Sequence, residues 1–249
     1  VVAWKLIWAL YEKTGIDKSE ILDFTELAAI ATVGDVMDLQ GENRIIVKHG
    51  LRQLASTLRP GLQALIRVNN LEGAEITAYH VGFVLGPCIN ASGRLDTATR
   101  ALALLCAEKR EEAEKLAGDL YDLNQSRKAM TEQGKERAIE EIEIGGLNKD
   151  RVLVVYLSEC HESLAGIIAG RIRELYHKPA FVLTKAENGV KGSGRSIEAY
   201  SMYEELCKCQ ELFTKFGGHS SVDIRWQQDF RWRKKILKDS GRGLMKTAH

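Results

Sequence analysis

The chain has 249 residues, 45% of them hydrophobic, with 35 Lys+Arg against 34 Asp+Glu and a formal net charge of +1. That length buries a sizeable core and leaves room for two modest domains, while the balanced charge excludes attraction of a polyanion by the global field, so any nucleic-acid contact needs a local basic patch. Five cysteines, scattered apart from Cys207-x-Cys209, fit neither a zinc spacing nor a disulfide framework, and no apolar run reaches the roughly 18 residues that span a bilayer, so a cytoplasmic setting without membrane contact is expected.

The chain opens on Val rather than Met and runs straight into an apolar segment, which reads as a piece of a longer protein. Val1 to Lys13 sets Val2, Leu6, Ile7 and Leu10 at helical spacing and predicts a core helix. Ser19 to Val33 carries acids early and apolar residues at Ile21, Leu22, Leu27, Ile30 and Val33, and leads to Gly34-Asp35-Val36. Asp35 there either caps the next turn or presents a carboxylate at the end of the element, and Asp38 follows three residues on. Past a turn at Gly41-Glu42-Asn43, Arg44 to Leu58 predicts a helix with Ile45, Ile46, Leu51 and Leu54 inward and Arg44, Lys48 and Arg52 in solvent.

Pro60-Gly61 breaks the chain before a helix over Leu62 to Val68 and a polar turn at Asn69-Asn70. Ile76 to Leu85 leads into Gly86-Pro87-Cys88-Ile89-Asn90-Ala91-Ser92-Gly93-Arg94-Leu95, whose proline and glycines predict a shaped loop with Asn90 and Arg94 projecting from it. Asp96 to about Ile144 predicts a long helical region, dense in mixed charge, that connects two bodies and ends near Gly145-Gly146.

Beyond it the pattern changes. Arg151 to Leu157, with Val152, Leu153, Val154 and Val155 in one run, predicts a buried strand, Leu164 to Tyr176 an amphipathic helix, Pro179 to Thr184 a second strand, and Val190 to Gly192 the start of a third extended piece, together an α/β unit. His161 just before the helix reads as a cap or surface residue and Arg171 within it as a surface charge. Gly192-Ser193-Gly194-Arg195-Ser196 predicts a glycine-rich turn, followed after one short helix by a second at Phe216-Gly217-Gly218-His219. Glycine backbones, an Arg fork and a His are the parts of an anion cradle, although a Gly-Ser-Gly turn also serves as plain loop punctuation.

In this order, Gly34-Asp35-Val36-Met37-Asp38-Leu39 with Gly41-Glu42-Asn43-Arg44, Gly86 to Leu95, His161 to Arg171, Gly192 to Ser196 and Phe216 to His219 resemble the RecJ family of the DHH phosphoesterase superfamily. The resemblance covers Val1 to His219. It implies an α/β protein divided into the C-terminal part of a DHH catalytic domain (1–70), a connecting helical region (71–146) and a DHH-associated substrate-binding domain (147–219). It also implies 5′-to-3′ hydrolysis of single-stranded DNA in repair and recombination by two Mn²⁺ or Mg²⁺ ions, with a single-strand-binding protein and a helicase as partners. Asp35 matches the family's last metal-binding aspartate, while Asp38 falls where the family commonly has Pro. Asn90, Arg94, His161, Arg171, Arg195, Ser196, Gly217, Gly218 and His219 match positions that line the nucleic-acid path or grip phosphate. Cys88 stands where Arg is usual, and Glu162 and Ser163 replace a Pro-Gly pair. No Asp-His-His occurs in the chain, and one matched carboxylate cannot hold two divalent ions, so the polypeptide alone is expected to be inactive. A phosphodiesterase of short oligonucleotides or cyclic dinucleotides and a non-catalytic nucleic-acid-binding module are the alternatives.

After His219 the family continues Pro-Met-Ala-Ala-Gly, whereas here Ser220 onward shows neither strand nor helix periodicity. If Asp223 to Trp232 is encoded GAC ATC CGA TGG CAG CAG GAT TTC CGC TGG, reading from the last base of the Asp codon gives His-Pro-Met-Ala-Ala-Gly-Phe-Pro-Leu. Residues 220–249 therefore read as a frameshifted tail that lacks the closing strand.

Overall fold

A computed structural model describes residues 1–186, 189–208, 215–218 and 221–226. Its contacts divide the chain into two compact units, Val1–Arg127 and Lys128–His249.

The first unit is helical. Helix α1 (Val2–Thr14) ends on Gly15, whose φ of 70° lets its N–H return to the Tyr11 carbonyl. None of its residues is buried, and Val2, Leu6, Ile7 and Leu10 all stay exposed, so it is not the core helix that its spacing predicts. Helical period establishes an apolar side but not what covers it. Helix α2 (Ser19–Leu22) leads to α3 (Thr25–Gly34), which crosses α4 (Gly41–Ala55) at Gly50. A Cβ at Gly50 would lie 2.4 Å from Ala29 Cβ and 2.5 Å from the Thr25 carbonyl, so this crossing requires glycine. Helix α4 buries Ile46, Val47 and Leu54 but leaves Ile45, expected inside, on the solvent side.

Between these helices and α5 (Pro60–Val68), Glu26 is 2% exposed; its Oε1 accepts from Thr57 Oγ1 at 3.0 Å and from Arg59 Nε at 2.9 Å, while Oε2 has no partner. Desolvation pushes this carboxyl above its ordinary value, against the pull of Thr57 and Arg59.

The segment Gly86–Leu95 is not a loop. Helix α6 (Ala78–His80) runs through one π-helical turn (Val81–Leu85) directly into α7 (Gly86–Leu95). Pro87 sits in the first turn of α7, where its missing N–H costs little. The Gly86 N–H reaches back to the Val81 carbonyl, and a Cβ on Gly86 would stand 2.7 Å from that oxygen. The Gly-Pro pair thus shifts the helical register instead of breaking the rod. Helices α8 (Ala98–Cys106) and α9 (Arg110–Ile144) follow, parted at Ala107, whose ψ of 127° is extended. The core gathers Leu54, Leu62, Leu65, Val81, Leu85, Cys88, Leu104 and the first half of α9 at Ala113, Ala117 and Leu120. The division between the two units falls within α9, at Arg127/Lys128.

The second unit is α/β. After a 3₁₀ turn at Leu147–Lys149, strand β1 (Leu153–Tyr156) precedes a second 3₁₀ turn (Glu162–Leu164), α10 (Ala165–Tyr176) and β2 (Ala180–Ala186), which pairs parallel to β1. Strand β3 (Gly189–Arg195) returns antiparallel, and α11 (Met202–Cys207) follows it. Strands β4 (Lys215–Gly218) and β5 (Ser221–Trp226) complete a sheet in the order β1-β2-β3-β5-β4. Ile168, Ala169 and Ile172 of α10 are buried with Leu153 and Val155 of β1 and Val182 of β2.

Two expectations change here. Both glycine-rich turns are strands: Gly192 to Arg195 completes β3, and Gly217 and Gly218 belong to β4. The start of the tail is also a strand, since β5 pairs with β3 and β4. Val222, Ile224 and Trp226 alternate with Ser221, Asp223 and Arg225, a period of two that marks a strand, so the expected loss of the closing strand does not hold for residues 221–226.

Candidate nucleic-acid interface

Arg195 ends β3 beside the first turn of α10. Its Nη1 donates to Ser193 Oγ at 3.2 Å and to the Gly194 carbonyl at 2.9 Å. A Cβ on Gly166 would lie 2.5 Å from Arg195 Nη2, 3.2 Å from its Cζ and 2.8 Å from Ser193 Oγ, so the guanidinium fills the space that a side chain at 166 would take. A delocalised cation therefore sits at the positive end of a helix dipole, and the two together favour an anion in front of them.

The cradle is not built as its glycines suggest. Gly192 and Gly194 lie inside a strand paired on both sides, with β2 and β5, so their backbone groups belong to the sheet ladder and not to a phosphate. Their glycine identity answers to packing. A Cβ at Gly192 would fall 2.3 Å from Leu183 Cδ2 and one at Gly194 2.5 Å from Phe181 Cε1, each the side chain of the directly opposed residue. The charged group that this motif offers is the Arg195 side chain.

The neighbouring candidates are differently employed. His161 is exposed, and its Nδ1 accepts from the Ser163 N–H at 3.3 Å and lies 2.7 Å from Ser163 Oγ, which makes it the cap of the 3₁₀ turn before α10. Ser163 is thus the partner that fixes His161. His161 also borders a cleft of about 320 Å³ with Gly134, Arg137, Tyr156, Cys160 and Leu164. Burial pushes the Cys160 thiol up to about 11, so it stays protonated at neutral pH and is no nucleophile. Lys191 Nζ donates to Glu162 Oε1 at 2.8 Å. Arg171 is exposed and pairs with Glu174 at 3.1 Å. Ser196 Oγ accepts from the Met202 N–H at 3.0 Å, which anchors α11 rather than facing outward. Gly217 is exposed, and His219 lies outside the described residues.

In the first unit, Asn90 and Arg94 lie on the exposed side of α7 while Cys88, Ala91 and Ser92 face the core. Cys88 is fully buried, within 3.6 Å of Asn69 Oδ1 and 3.2 Å of Asn124 Nδ2, so this side chain packs the interior and does not stand where it could touch phosphate. Asn124 Oδ1 in turn accepts from Arg127 Nε and Nη2 at 3.1 and 3.0 Å. Asp35 follows α3 in an exposed turn; its N–H returns to the Ala31 carbonyl, and Val36 beside it takes a φ of 54°. A β-branched residue in the left-handed region is strained, and the strain adjoins Asp35. Among the described residues no three His, Cys, Asp or Glu side chains gather as a metal site. A hard divalent ion needs several oxygen ligands, so the described residues do not by themselves complete a Mn²⁺ or Mg²⁺ site.

Asn124 and Arg127 carry no local sequence signal, and the motifs that contain Gly166 and Ser193 do not show that these two residues frame Arg195. Their roles come from long-range packing, which a spacing of residues along one helix or strand does not encode.

Residues 149–222 match the model of the DHHA1 domain. Over 220 residues the chain is 38% identical to the single-stranded-DNA-specific exonuclease RecJ of Bacillus subtilis, covering 88% of this chain and 27% of that protein. It is 35% identical over 219 residues to the enzyme of the same name from Salmonella typhimurium, covering 84% of this chain and 38% of that protein. Among solved structures, RecJ of Thermus thermophilus in complex with Mg²⁺ superposes with a TM-score of 0.85 at 29% identity, covering 100% of this chain and 38% of that one. The same protein in complex with Mn²⁺ gives 0.82 at 30% identity, covering 97% and 34%. The chain therefore spans less than two fifths of the length of these relatives.

Proposed function

We infer that this chain, a RecJ homologue carrying a DHHA1 domain, works on single-stranded DNA in the 5′-to-3′ exonuclease reaction and that its own share of that work is to hold the strand. The observation that carries this reading is Arg195, fixed by Ser193 Oγ and the Gly194 carbonyl in space left open by Gly166, within a stretch that matches the DHHA1 domain. A guanidinium held in this way contacts a phosphate at little conformational cost, because the side chain is ordered before the strand arrives. Within the second unit His161 beside α10 supplies a further donor in this reading and Arg171 adds charge, while Arg94 and Asn90 on α7 are the phosphate donors of the first unit. Asp35 contributes one carboxylate to a Mn²⁺ or Mg²⁺ site whose other ligands these residues do not include. A single-strand-binding protein and a helicase are the partners proposed on the same footing, in repair or recombination in the cytoplasm. DNA held through phosphates responds steeply to salt, and each phosphate contact removed lowers the slope of log affinity against log salt by about 1.

Fluorescence anisotropy with a labelled single strand and the matching duplex tests this. Salt-dependent binding that favours the single strand, with the slope reduced by Arg195→Ala, is expected. No binding, or equal binding of the duplex, refutes it.

A further inference from the structure

The rod of α6, the π turn and α7 has two sides. Val81, Leu85, Cys88 and Ser92 are buried, and on the other side Tyr79, Phe83, Asn90 and Arg94 are exposed, spaced by four, seven and four residues. Two large aromatics thus stand in solvent, Tyr79 at 64% and Phe83 at 69% exposure, with ring centroids 5.1 Å apart and planes tilted by only 29°. The pair is held in place. His80 packs edge-on against Tyr79 at 5.9 Å, and its Nδ1 accepts from the Thr77 N–H at 3.1 Å, which closes the capping box at the start of the rod. The Gly86 N–H bonded to the Val81 carbonyl keeps the rod continuous through Pro87. From Tyr79 to Arg94 the stripe runs about 20 Å at the rise of a helix.

We propose that Tyr79 and Phe83 are a stacking platform for bases of single-stranded nucleic acid whose backbone runs toward Asn90 and Arg94. The proposal rests on the single-strand-binding reading and extends it from phosphate to base. Exposed aromatic faces followed along one helix by an amide and a guanidinium match what such a strand presents, a planar π surface and then an anion. A hydrophobic protein surface would match the rings and leave the polar half of the stripe without complement. Stacking of this kind tolerates any base, since every base has a π face, so the platform adds affinity for unpaired strands with little sequence preference. A duplex, whose bases are already stacked on one another, gains nothing from it.

The test uses the full chain and oligonucleotides carrying 2-aminopurine, whose fluorescence falls when the base stacks. The wild type is expected to quench the probe. Tyr79→Leu with Phe83→Leu, a change on exposed surface that keeps apolar volume and removes the rings, abolishes the quench and weakens single-strand binding about tenfold, while Phe83→Trp preserves both. Arg195→Ala lowers affinity but keeps the quench. Leucine variants that bind and quench like the wild type, when the wild type binds single strands, overturn the platform and leave the phosphate-holding reading intact. A wild type that binds no single strand overturns both.

Discussion

Replacing Gly166 by Ala should separate the position of Arg195 from the stability of the domain. The added Cβ falls 2.5 Å from Arg195 Nη2 and 2.8 Å from Ser193 Oγ, far inside contact distance. Neither obstacle is backbone, so the fold yields by swinging Arg195 aside and turning the Ser193 hydroxyl instead of opening. Alanine also exceeds glycine in helix propensity by about 1 kcal/mol, which offsets the hydrogen bonds from Nη1 to Ser193 Oγ and Gly194 that the swing breaks. Thermal stability should therefore stay within about 1 kcal/mol of the wild type. A charge-assisted contact between Arg195 and phosphate is worth about 1.5–3 kcal/mol, so single-strand affinity should fall by roughly one to two orders of magnitude and the salt slope by about 1. Anisotropy titrations at several salt concentrations read both quantities. In a cycle with Arg195→Ala the two effects should not add, because both remove the same contact. Additive losses, or a Gly166→Ala protein that binds like the wild type at every salt concentration, would refute the reasoning.

Glu26 keeps its proton to a higher pH in the folded chain than in the unfolded one, chiefly through desolvation, so its contribution to stability is fully present below its ordinary 4.5 and is lost as pH rises through the raised value. Denaturation followed across that range should show the decline in the wild type and its absence in Glu26→Gln. Arg59→Ala, which takes from the buried Glu26 Oε1 its donor at 2.9 Å, should cost about 1–3 kcal/mol in urea unfolding. Gly61→Ala should destabilise more than any of these changes, because its Cβ would stand 1.9 Å from the Leu104 carbonyl and backbone cannot swing aside; failure to fold, read by circular dichroism, is expected. Thiol labelling at pH 8 followed by mass spectrometry should modify the exposed Cys106 and Cys207 quickly, Cys160 slowly because its thiol is pushed up to about 11, and buried Cys88 only on unfolding.

Much of this organisation is legible in the chain. The apolar run at Val152–Val155 and the amphipathic stretch after it become β1 and α10, since a buried strand and a half-buried helix each write their period into local sequence. Glycine misleads where its reason is distant. Gly194 resembles a phosphate-binding turn until Phe181, thirteen residues earlier, proves to lie directly opposite it. Gly86-Pro87 resembles a helix break because a π turn that absorbs the lost hydrogen bond has no composition of its own. The strand at Ser221–Trp226 is legible in its alternation of Val222, Ile224 and Trp226 with Ser221, Asp223 and Arg225, a run too short to stand out beside the unrelated continuation of the family. Tyr79 and Phe83 sit four residues apart, a spacing that suits a core stripe equally well, and only their exposure tells the two apart.

The central claim is that this chain holds single-stranded DNA and does not itself provide the metal-dependent cleavage. The most direct measurement incubates the purified chain with end-labelled single-stranded DNA and Mn²⁺, following binding and nucleotide release in one sample. Salt-sensitive binding without release above a protein-free control is predicted. Release of nucleotides in proportion to the amount of chain, lost on chelation, would contradict the account, because it would require a complete metal site that Asp35 and its described surroundings do not form.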